Sequence, residues 1–433
     1  MASGRRLGIA EQAMVLMEQR HGTGHIVRVM RLGGPVTIEM LEEAMRAVQA
    51  RHPLLRARIV DDHGAPCFEL DDSQPVAIRS ADRHDANTWM QVLQEELNDA
   101  TWPEQGPLVR MVVLQATATG TPTEVVLSCH HAVADGRSIN LVCGELVDCC
   151  ERVGRQEQAD LGPPLPLLPP VEEILRSEIM AKATPSGIES FVARQVERKL
   201  AYQPVNLPAE GPDPARTGRS AIVHRALGRG RVAQLRERCR FEKTSVHGAL
   251  GSALLLAAQG LFRGRASVPM TLVSTVSLRD ELTTDVAQHA VGLFSSGART
   301  FHVVGSGTEF WPLAREVKDA VDDAITRQEP SLALLLQREA VEHHMEKREV
   351  AAVWISNLGD ERHDRSTGRF VMEAIHGGVP MHGFGPTVYS HAVTLDETLF
   401  WNFVYPESVL SHETVEGFAD DALARMTAAA NER

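Results

Sequence analysis

The sequence predicts an α/β protein with two domains, and three observations lead to this prediction. Apolar, β-branched runs alternate with amphipathic helical patterns through both halves of the chain. The 433 residues exceed what a single core ordinarily organises. A stretch over 161–170 carries five prolines, which favour an extended connector. We therefore predict an N-terminal domain over 1–160, a linker over 161–185 and a C-terminal domain over 186–433.

The composition excludes several classes of protein. The formal net charge of −13 argues against a nucleic-acid binder, because phosphate contacts require a basic face. No apolar run approaches the ~18–20 residues of a membrane span, and the first residues lack the apolar core of a signal peptide. These features predict a cytoplasmic protein without a membrane span.

The six cysteines have no spacing typical of a disulfide framework or a metal site. Several occupy apolar positions, which is typical of reduced, buried thiols. The adjacent Cys149 and Cys150 have redox or metal chemistry as an alternative, but no ligand partners sit nearby in the sequence. The pattern predicts no metal site.

The first half of the chain reads as an α/β layer. A helix begins after Thr37, a plausible N-cap, and stops before Pro53, because the residue preceding proline avoids helical geometry. Its apolar positions recur with helical spacing at Leu41, Ala44, Met45 and Val48. The other predicted elements are a strand within 20–32, a strand over 54–60, a helix over 85–98 and strands over 108–115 and 123–129.

A strand-to-helix junction follows at Ser128–Ser138, which carries two histidines, an aspartate and a glycine. Before it lies a β-branched run typical of a buried strand. After it, apolar residues recur on one helical face, namely Ile139, Val142, Cys143, Leu146 and Cys150. Such a junction presents polar side chains from a rigid scaffold, so it is the candidate functional site.

The second half repeats this alternation. A slim helix is predicted from its cap Ser245 to Gly260, with Gly248 and Gly251 allowing close packing on one face. A charged helical stretch is predicted over 171–202. The remaining predictions are strands over 222–227, 270–277, 301–304, 350–355, 387–394 and 398–404, and helices over 232–241, 309–326, 330–346 and 412–427.

Two simple interpretations of the histidine pair compete with catalysis. An adjacent pair beside an aspartate can form a hydrogen-bonded polar turn. It can also suggest a metal site, although neighbouring residues of a strand point to opposite faces and rarely bind one ion together.

The full pattern His130-His131-x-x-x-Asp135-Gly136 resembles the signature of thioester-dependent acyltransferases. This group includes peptide-synthetase condensation domains, polyketide-associated acyltransferases, wax ester synthases and chloramphenicol acetyltransferase. The run from Arg51 to Arg58 is similar to the family's opening. Later matches are Val-Ser-Leu-Arg ending at Arg279, Val-Gly-Leu-Phe over 291–294 and Ser-Asn-Leu-Gly over 356–359. The second signature of the plant-type branch is absent.

The resemblance implies two chloramphenicol-acetyltransferase-like α/β sandwich domains that form a V-shaped pseudo-dimer with a tunnel between them. One chain of this length would supply both halves of the cleft. A single-domain trimer is therefore disfavoured, and we expect a monomer.

The resemblance also implies roles for residues of the motif. His131 is the expected general base, since histidine exchanges protons near neutral pH. His130 belongs to the catalytic motif but is expected to serve in packing. Asp135 is either a second catalytic acid or, as the family implies, a structural partner of Arg279. Gly136 would leave room for a phosphopantetheine arm.

Other residues are candidates for substrate contacts. Ser138 is interpreted as a helix N-cap, with a substrate-binding or catalytic role as the alternative. Ser356 and Asn357 are substrate-binding candidates, and backbone amides near Gly136 or Asn357 could stabilise an oxyanion. Five arginines are a candidate site for coenzyme A phosphates or an acidic carrier protein, with a solvated helix face as the alternative: Arg229, Arg231, Arg236, Arg238 and Arg240.

The predicted function is O-acyl transfer in polyketide, lipid or other secondary metabolism. The donor is an acyl-phosphopantetheine on an acyl carrier protein or an acyl-CoA, and the acceptor is a small alcohol. No permanently bound cofactor is expected. One alternative is a free-standing condensation enzyme that acylates an amine. Another is a catalytically silent member of the fold that binds a carrier protein.

Overall fold

The computed structural model of this chain describes residues 4–103, 106–115, 121–211, 218–341, 351–361 and 368–432. Its contacts divide the chain into two compact units. The first unit comprises 1–174, 282–294 and 362–379, and the second comprises 175–281, 295–361 and 380–433. The chain first passes from one unit to the other between Ile174 and Leu175. The domain limits and linker predicted from the sequence stay predictions.

The strands are numbered along the chain. They are β1 (Gly4–Arg6), β2 (His25–Gly33), β3 (Ala57–Asp62), β4 (Ala65–Leu70), β5 (Ala77–Ser80), β6 (Val109–Leu114), β7 (Thr123–His130), β8 (Ser220–Leu227), β9 (Ser267–Ser277), β10 (Ser295–Gly305), β11 (Val353–Glu361), β12 (Val371–Gly378), β13 (Val388–Leu395) and β14 (Thr398–Pro406).

The helices are numbered in the same way. They are α1 (Ile9–His21), α2 (Ile38–Arg51), α3 (Thr88–Glu96), α4 (Gly136–Gly154), α5 (Ser177–Met180), α6 (Pro185–Tyr202), α7 (Arg229–Phe241), α8 (Val246–Gly260), α9 (Phe310–Thr326), α10 (Glu329–Leu335) and α11 (His412–Asn431). The predicted helix over 330–346 and strand over 350–355 extend partly outside the described residues.

The first unit contains a five-stranded sheet in the order β12-β2-β7-β6-β5 and a small sheet in the order β1-β4-β3. β7 lies at the centre of the larger sheet and pairs antiparallel with both neighbours. All eight of its residues are buried, as its β-branched composition predicts. His130 is its last residue, so the motif leaves the sheet from its most enclosed strand.

Helices α2 and α4 follow the predicted patterns. The Thr37 hydroxyl accepts a hydrogen bond from the Met40 amide at 3.3 Å, which confirms the N-cap of α2. The four apolar positions predicted for α2 and the five predicted for α4 are all buried. The amphipathic spacing therefore identified the core faces correctly.

The run from Arg51 to Pro53 attaches the end of α2 to α4. The Nε2 atom of His52 lies 2.6 Å from a carboxylate oxygen of Glu145, and the Nε of Arg51 lies 3.2 Å from the other. His52 is buried, so this ion-pair cluster ties α4, which follows the motif, to its neighbouring helix.

The second unit contains a six-stranded mixed sheet in the order β10-β9-β11-β13-β14-β8. β11 pairs in parallel with both β9 and β13. Helix α8 packs closely against α9. The absence of a side chain at Gly251 permits this packing, since a Cβ there would lie 2.7 Å from a methyl group of Val317. The predicted cap is confirmed, since the Gly248 amide donates to the Ser245 hydroxyl at 3.0 Å.

Two of the predicted elements differ from the structure at a proline. The strand expected over 54–60 begins only at Ala57, because Pro53 starts a short 3-10 helix over Pro53–Arg56. The helix expected over 171–202 is broken, and its long portion α6 starts at Pro185 after the N-cap Thr184. Proline at the first helical position favours this later start.

Candidate functional site

The candidate site is the junction between β7 and α4 in the first unit. The His131 amide donates to the Gly24 carbonyl at 2.7 Å, which extends the pairing of β7 with the chain preceding β2. The Val133 amide then donates back to the His130 carbonyl at 3.0 Å and closes a tight turn. The motif is thus held by backbone hydrogen bonds on both sides of His131.

His130 is engaged through both of its ring nitrogens. Its Nδ1 accepts a hydrogen bond from the Ala132 amide at 3.0 Å, so this nitrogen carries no proton. Its Nε2 lies against a carboxylate oxygen of Glu18 on α1. The ring is buried, with the ring of Trp102 at a centroid distance of 6.0 Å. This arrangement leaves His130 no ring nitrogen for proton transfer to a substrate.

His131 has a different environment. Its side chain is half-buried, and its Nδ1 is buried without a hydrogen bond of standard geometry to any described residue. Burial lowers the pKa of His131 below its usual value of about 6.5. Asp135 and nearby backbone groups partly oppose this shift. The ring is therefore neutral at pH 7 and able to accept a proton.

Asp135 is the N-cap of α4, which corrects the assignment of that role to Ser138. Its Oδ1 accepts a hydrogen bond from the Ser138 amide at 2.8 Å, and its Oδ2 accepts one from the Phe294 amide at 3.0 Å. Its own amide donates to the Gly292 carbonyl at 3.0 Å. Aspartate is a strong N-cap because its carboxylate also favours the positive end of the helix.

Ser138 occupies the first turn of α4 and holds the same distant segment. Its hydroxyl donates to the Gly292 carbonyl at 2.8 Å and accepts from the Gly292 amide at 3.1 Å. All of these groups are buried. The Val-Gly-Leu-Phe segment over 291–294 is thus bound directly to the histidine motif by Asp135 and Ser138, a contact that the sequence did not predict.

Gly292 makes this binding possible, and we expect Gly292→Ala to destabilise the first unit. A Cβ at this position would lie 2.4 Å from the Phe294 ring, which is itself buried. Overpacking of this kind costs about 1–3 kcal/mol of unfolding free energy. Urea unfolding measures the effect.

The matched control for Gly292→Ala is Gly417→Ala in α11. A Cβ on Gly417 meets nothing within 4 Å, so alanine should raise stability by about 0.5–1 kcal/mol through helix propensity. Equal stability of Gly292→Ala and wild type would show that the segment over 291–294 is not tightly held.

Arg28 is a buried residue of the site that the sequence analysis missed. It lies in β2, and its Nη2 donates to the Gly136 carbonyl at 3.3 Å. A Cβ on Gly377 of β12 would lie 2.5 Å from Nη1 of Arg28, so this glycine provides space for the guanidinium. An arginine between apolar residues of a strand was the available signal, because buried arginines require specific partners.

Arg279, Ser356 and Asn357 belong to the second unit. Arg279 is buried after the carboxyl end of β9, and Ser356 is buried in β11, the parallel neighbour of β9. The Asn357 side chain accepts from the Gly359 amide at 3.1 Å, where Gly359 has a φ of 79°. This bond explains why asparagine and glycine occur two positions apart in the Ser-Asn-Leu-Gly segment. The pairing of Asp135 with Arg279, the space at Gly136 and the substrate contacts of Ser356 and Asn357 stay predictions.

The arginine cluster lies on α7 or at its start. Arg236 forms an ion pair with Asp360 at 3.0 Å, and Arg238 forms one with Glu242 at 2.6 Å. Arg229 lies 3.5 Å from Glu397. These pairs neutralise part of the positive charge, and the role of the cluster in docking a donor stays a prediction.

Two features are absent from the part of the chain that the structure describes. Within it, no three or more His, Cys, Asp or Glu side chains are grouped in a way that could hold a metal ion. Within the same residues, no helix combines the length and apolar character needed to cross a bilayer.

Curated relatives match parts of the chain. A nonribosomal peptide synthetase, kk1B of Curvularia clavata, is 28% identical over 240 residues, which are 53% of this chain and 2% of that protein. A phthiocerol/phthiodiolone dimycocerosyl transferase of Mycobacterium sp. is 24% identical over 248 residues, 57% of each chain. The chain therefore spans less than two thirds of the length of these relatives.

Solved structures match the fold over nearly the whole chain. The TRI3 trichothecene 15-O-acetyltransferase of Fusarium sporotrichioides has a TM-score of 0.78 at 14% identity and covers 98% of this chain and 95% of its own. The polyketide synthase associated protein 5 of Mycobacterium tuberculosis has a TM-score of 0.70 at 16% identity, with coverages of 99% and 98%. These likenesses confirm the predicted acyltransferase-like α/β fold.

The family model named Condensation domain matches residues 14–432, a range that contains the histidine motif, the 291–294 segment and the Ser-Asn-Leu-Gly turn. The chain belongs to the condensation-domain family.

Proposed function

We propose that this protein transfers an acyl group from a thioester to a hydroxyl acceptor, with His131 as the general base. The observation that carries the proposal is the division of roles between the two histidines. Both ring nitrogens of His130 are engaged, whereas burial favours the neutral ring of His131, to whose Nε2 we assign the proton transfer. Such a neutral, held imidazole is what proton abstraction from an alcohol requires.

The proposed reaction begins when Nε2 of His131 accepts the proton of the acceptor hydroxyl. The hydroxyl oxygen attacks the thioester carbonyl carbon, and a tetrahedral oxyanion forms. For Nε2 to accept the proton, Nδ1 must carry the other one.

Collapse of the intermediate breaks the carbon–sulfur bond. The imidazolium of His131 returns its proton to the departing thiolate, so that an ester and a free thiol leave the site. Asp135 takes no proton in this scheme, since both of its carboxylate oxygens accept backbone hydrogen bonds. Oxyanion stabilisation by amides near Gly136 or Asn357 is part of the proposal.

The proposed acceptor is an alcohol, and two relatives that transfer acyl groups support this choice. One structural neighbour is a 15-O-acetyltransferase, and one curated relative is a dimycocerosyl transferase. Other curated relatives are a nonribosomal peptide synthetase and a tripeptide synthetase, which supports amide formation as the second candidate. The donor is proposed to be an acyl-phosphopantetheine on a carrier protein or an acyl-CoA.

The test incubates the full chain with acyl-CoA and acyl-carrier thioesters, each paired with alcohols and with amines. We expect ester products that require wild-type His131. If only amides formed, the acceptor would be an amine rather than an alcohol, and His131 would remain the proposed general base. No thiol release with any pair, together with saturable binding of a carrier protein, would favour the catalytically silent alternative.

A further inference from the structure

Helix α6 carries an apolar stripe on its exposed side. Val192, Val196 and Leu200 are 43%, 50% and 70% exposed, and Ile188 is half-buried one turn earlier. The four residues are spaced every four positions, so they form one continuous ridge along about three turns. A soluble protein that remains a monomer rarely exposes a contiguous apolar surface of this kind.

The opposite side of α6 is firmly attached to the second unit. Phe191 is buried, and Gln195 and Arg198 donate hydrogen bonds to the buried Glu329 of α10 at 2.9 and 3.2 Å. The Tyr202 ring packs on Phe301 with a centroid distance of 5.6 Å. These contacts fix the rotation of α6 about its own axis, and in this orientation the stripe faces outward.

Two of the charges beside the stripe are self-complementary. Glu189 lies next to its first turn and Lys199 next to its last, and both are exposed. If two copies of α6 pack antiparallel about a two-fold axis at position 194, Val192 faces Val196 and Ile188 faces Leu200. Glu189 then faces Lys199 twice, whereas parallel packing would place like charges together.

We propose that the protein forms a two-fold symmetric dimer through antiparallel packing of α6 against α6 of a second copy. An acidic carrier protein fits the stripe less well, because its flanking charges are balanced rather than basic. The proposed dimer differs from the monomer expected from the sequence. It leaves the proposed acyl transfer unaffected, since α6 contains no residue of the β7–α4 junction.

Light scattering during gel filtration across a dilution series tests the proposal with the full chain. Wild type should have twice the mass of one chain at the higher concentrations. Val196→Glu places a charge at the centre of the contact and should raise the dimer dissociation constant at least about tenfold. Val303→Glu is the matched control, because Val303 is 52% exposed on β10 and should leave the dimer intact.

The orientation is tested by charge exchange and by cross-linking. Glu189→Lys and Lys199→Glu should each weaken the dimer, and the double variant should restore it. A mixture of Val192→Cys and Val196→Cys chains should form more disulfide-linked dimer than either variant alone.

Wild type that stays monomeric throughout the dilution series overturns the proposal. A dimer that tolerates Val196→Glu, or equal cross-linking by each cysteine variant alone, also overturns it. Circular dichroism of every variant shows that the fold is retained, and Leu200→Glu gives a second probe at the most exposed position.

Discussion

Replacement of His131 by alanine is expected to lower the rate of acyl transfer by about 10²–10⁴-fold, the usual contribution of a general base. The loss should appear in kcat, because the base acts when the acceptor attacks and not when it binds. His84→Ala is the matched control, since His84 is exposed and lies outside the motif. It should retain full activity.

The pH profile adds a signature that a structural role would not produce. Because burial lowers the pKa of His131, wild-type kcat/KM should be constant near neutral pH. It should fall on acidification, with a midpoint below about 6.5, as the base becomes protonated. The alanine variant should lose this acid limb. An unchanged limb in that variant, or unchanged activity, would place the base elsewhere.

Replacement of Asp135 by alanine is expected to cost about 3–6 kcal/mol of unfolding free energy. The variant leaves two buried amides without an acceptor, those of Ser138 and Phe294, and each hydrogen bond to a charged group contributes about 1.5–3 kcal/mol. Hydrogen exchange followed in peptides that contain these two amides measures the effect locally. Both should exchange faster.

Asp135→Asn separates the structural role from an acid–base role. Asparagine keeps one side-chain acceptor, so about half of the loss is expected, and the acid limb of the pH profile should remain. Thr37→Ala removes the N-cap of α2 in the same unit and should cost only about 1 kcal/mol. An asparagine variant as stable as wild type but inactive would contradict the structural assignment and favour proton transfer by Asp135.

The sequence predicted the local parts of the site because their physics is local. The β-branched run before the motif and the five apolar positions after it placed the junction between β7 and α4 correctly. The caps Thr37 and Ser245 were identified because capping depends on residues within one turn. Close packing on one face of α8 could be inferred from Gly251, which has no side chain.

The sequence could not predict contacts between distant segments. Asp135 caps α4 locally through its Oδ1, but its Oδ2 binds the Phe294 amide 159 positions later, and that contact could not be predicted. The partners of His130 and Gly136 are Glu18 on α1 and Arg28 on β2, and α1 itself was not predicted. These contacts are set by tertiary packing rather than by spacing along the chain.

The three-segment construction of the first unit has a consequence for biosynthesis. β2 can pair with its outer neighbour β12 only after residues 371–378 have been synthesised. Asp135 likewise obtains its second amide partner only after Phe294 has been synthesised. Because non-local pairing delays folding, the first unit cannot complete its sheet while most of the second unit is being synthesised. During that time the edge of β2 stays unpaired. Chaperone demand during synthesis should therefore peak before residue 371 is translated.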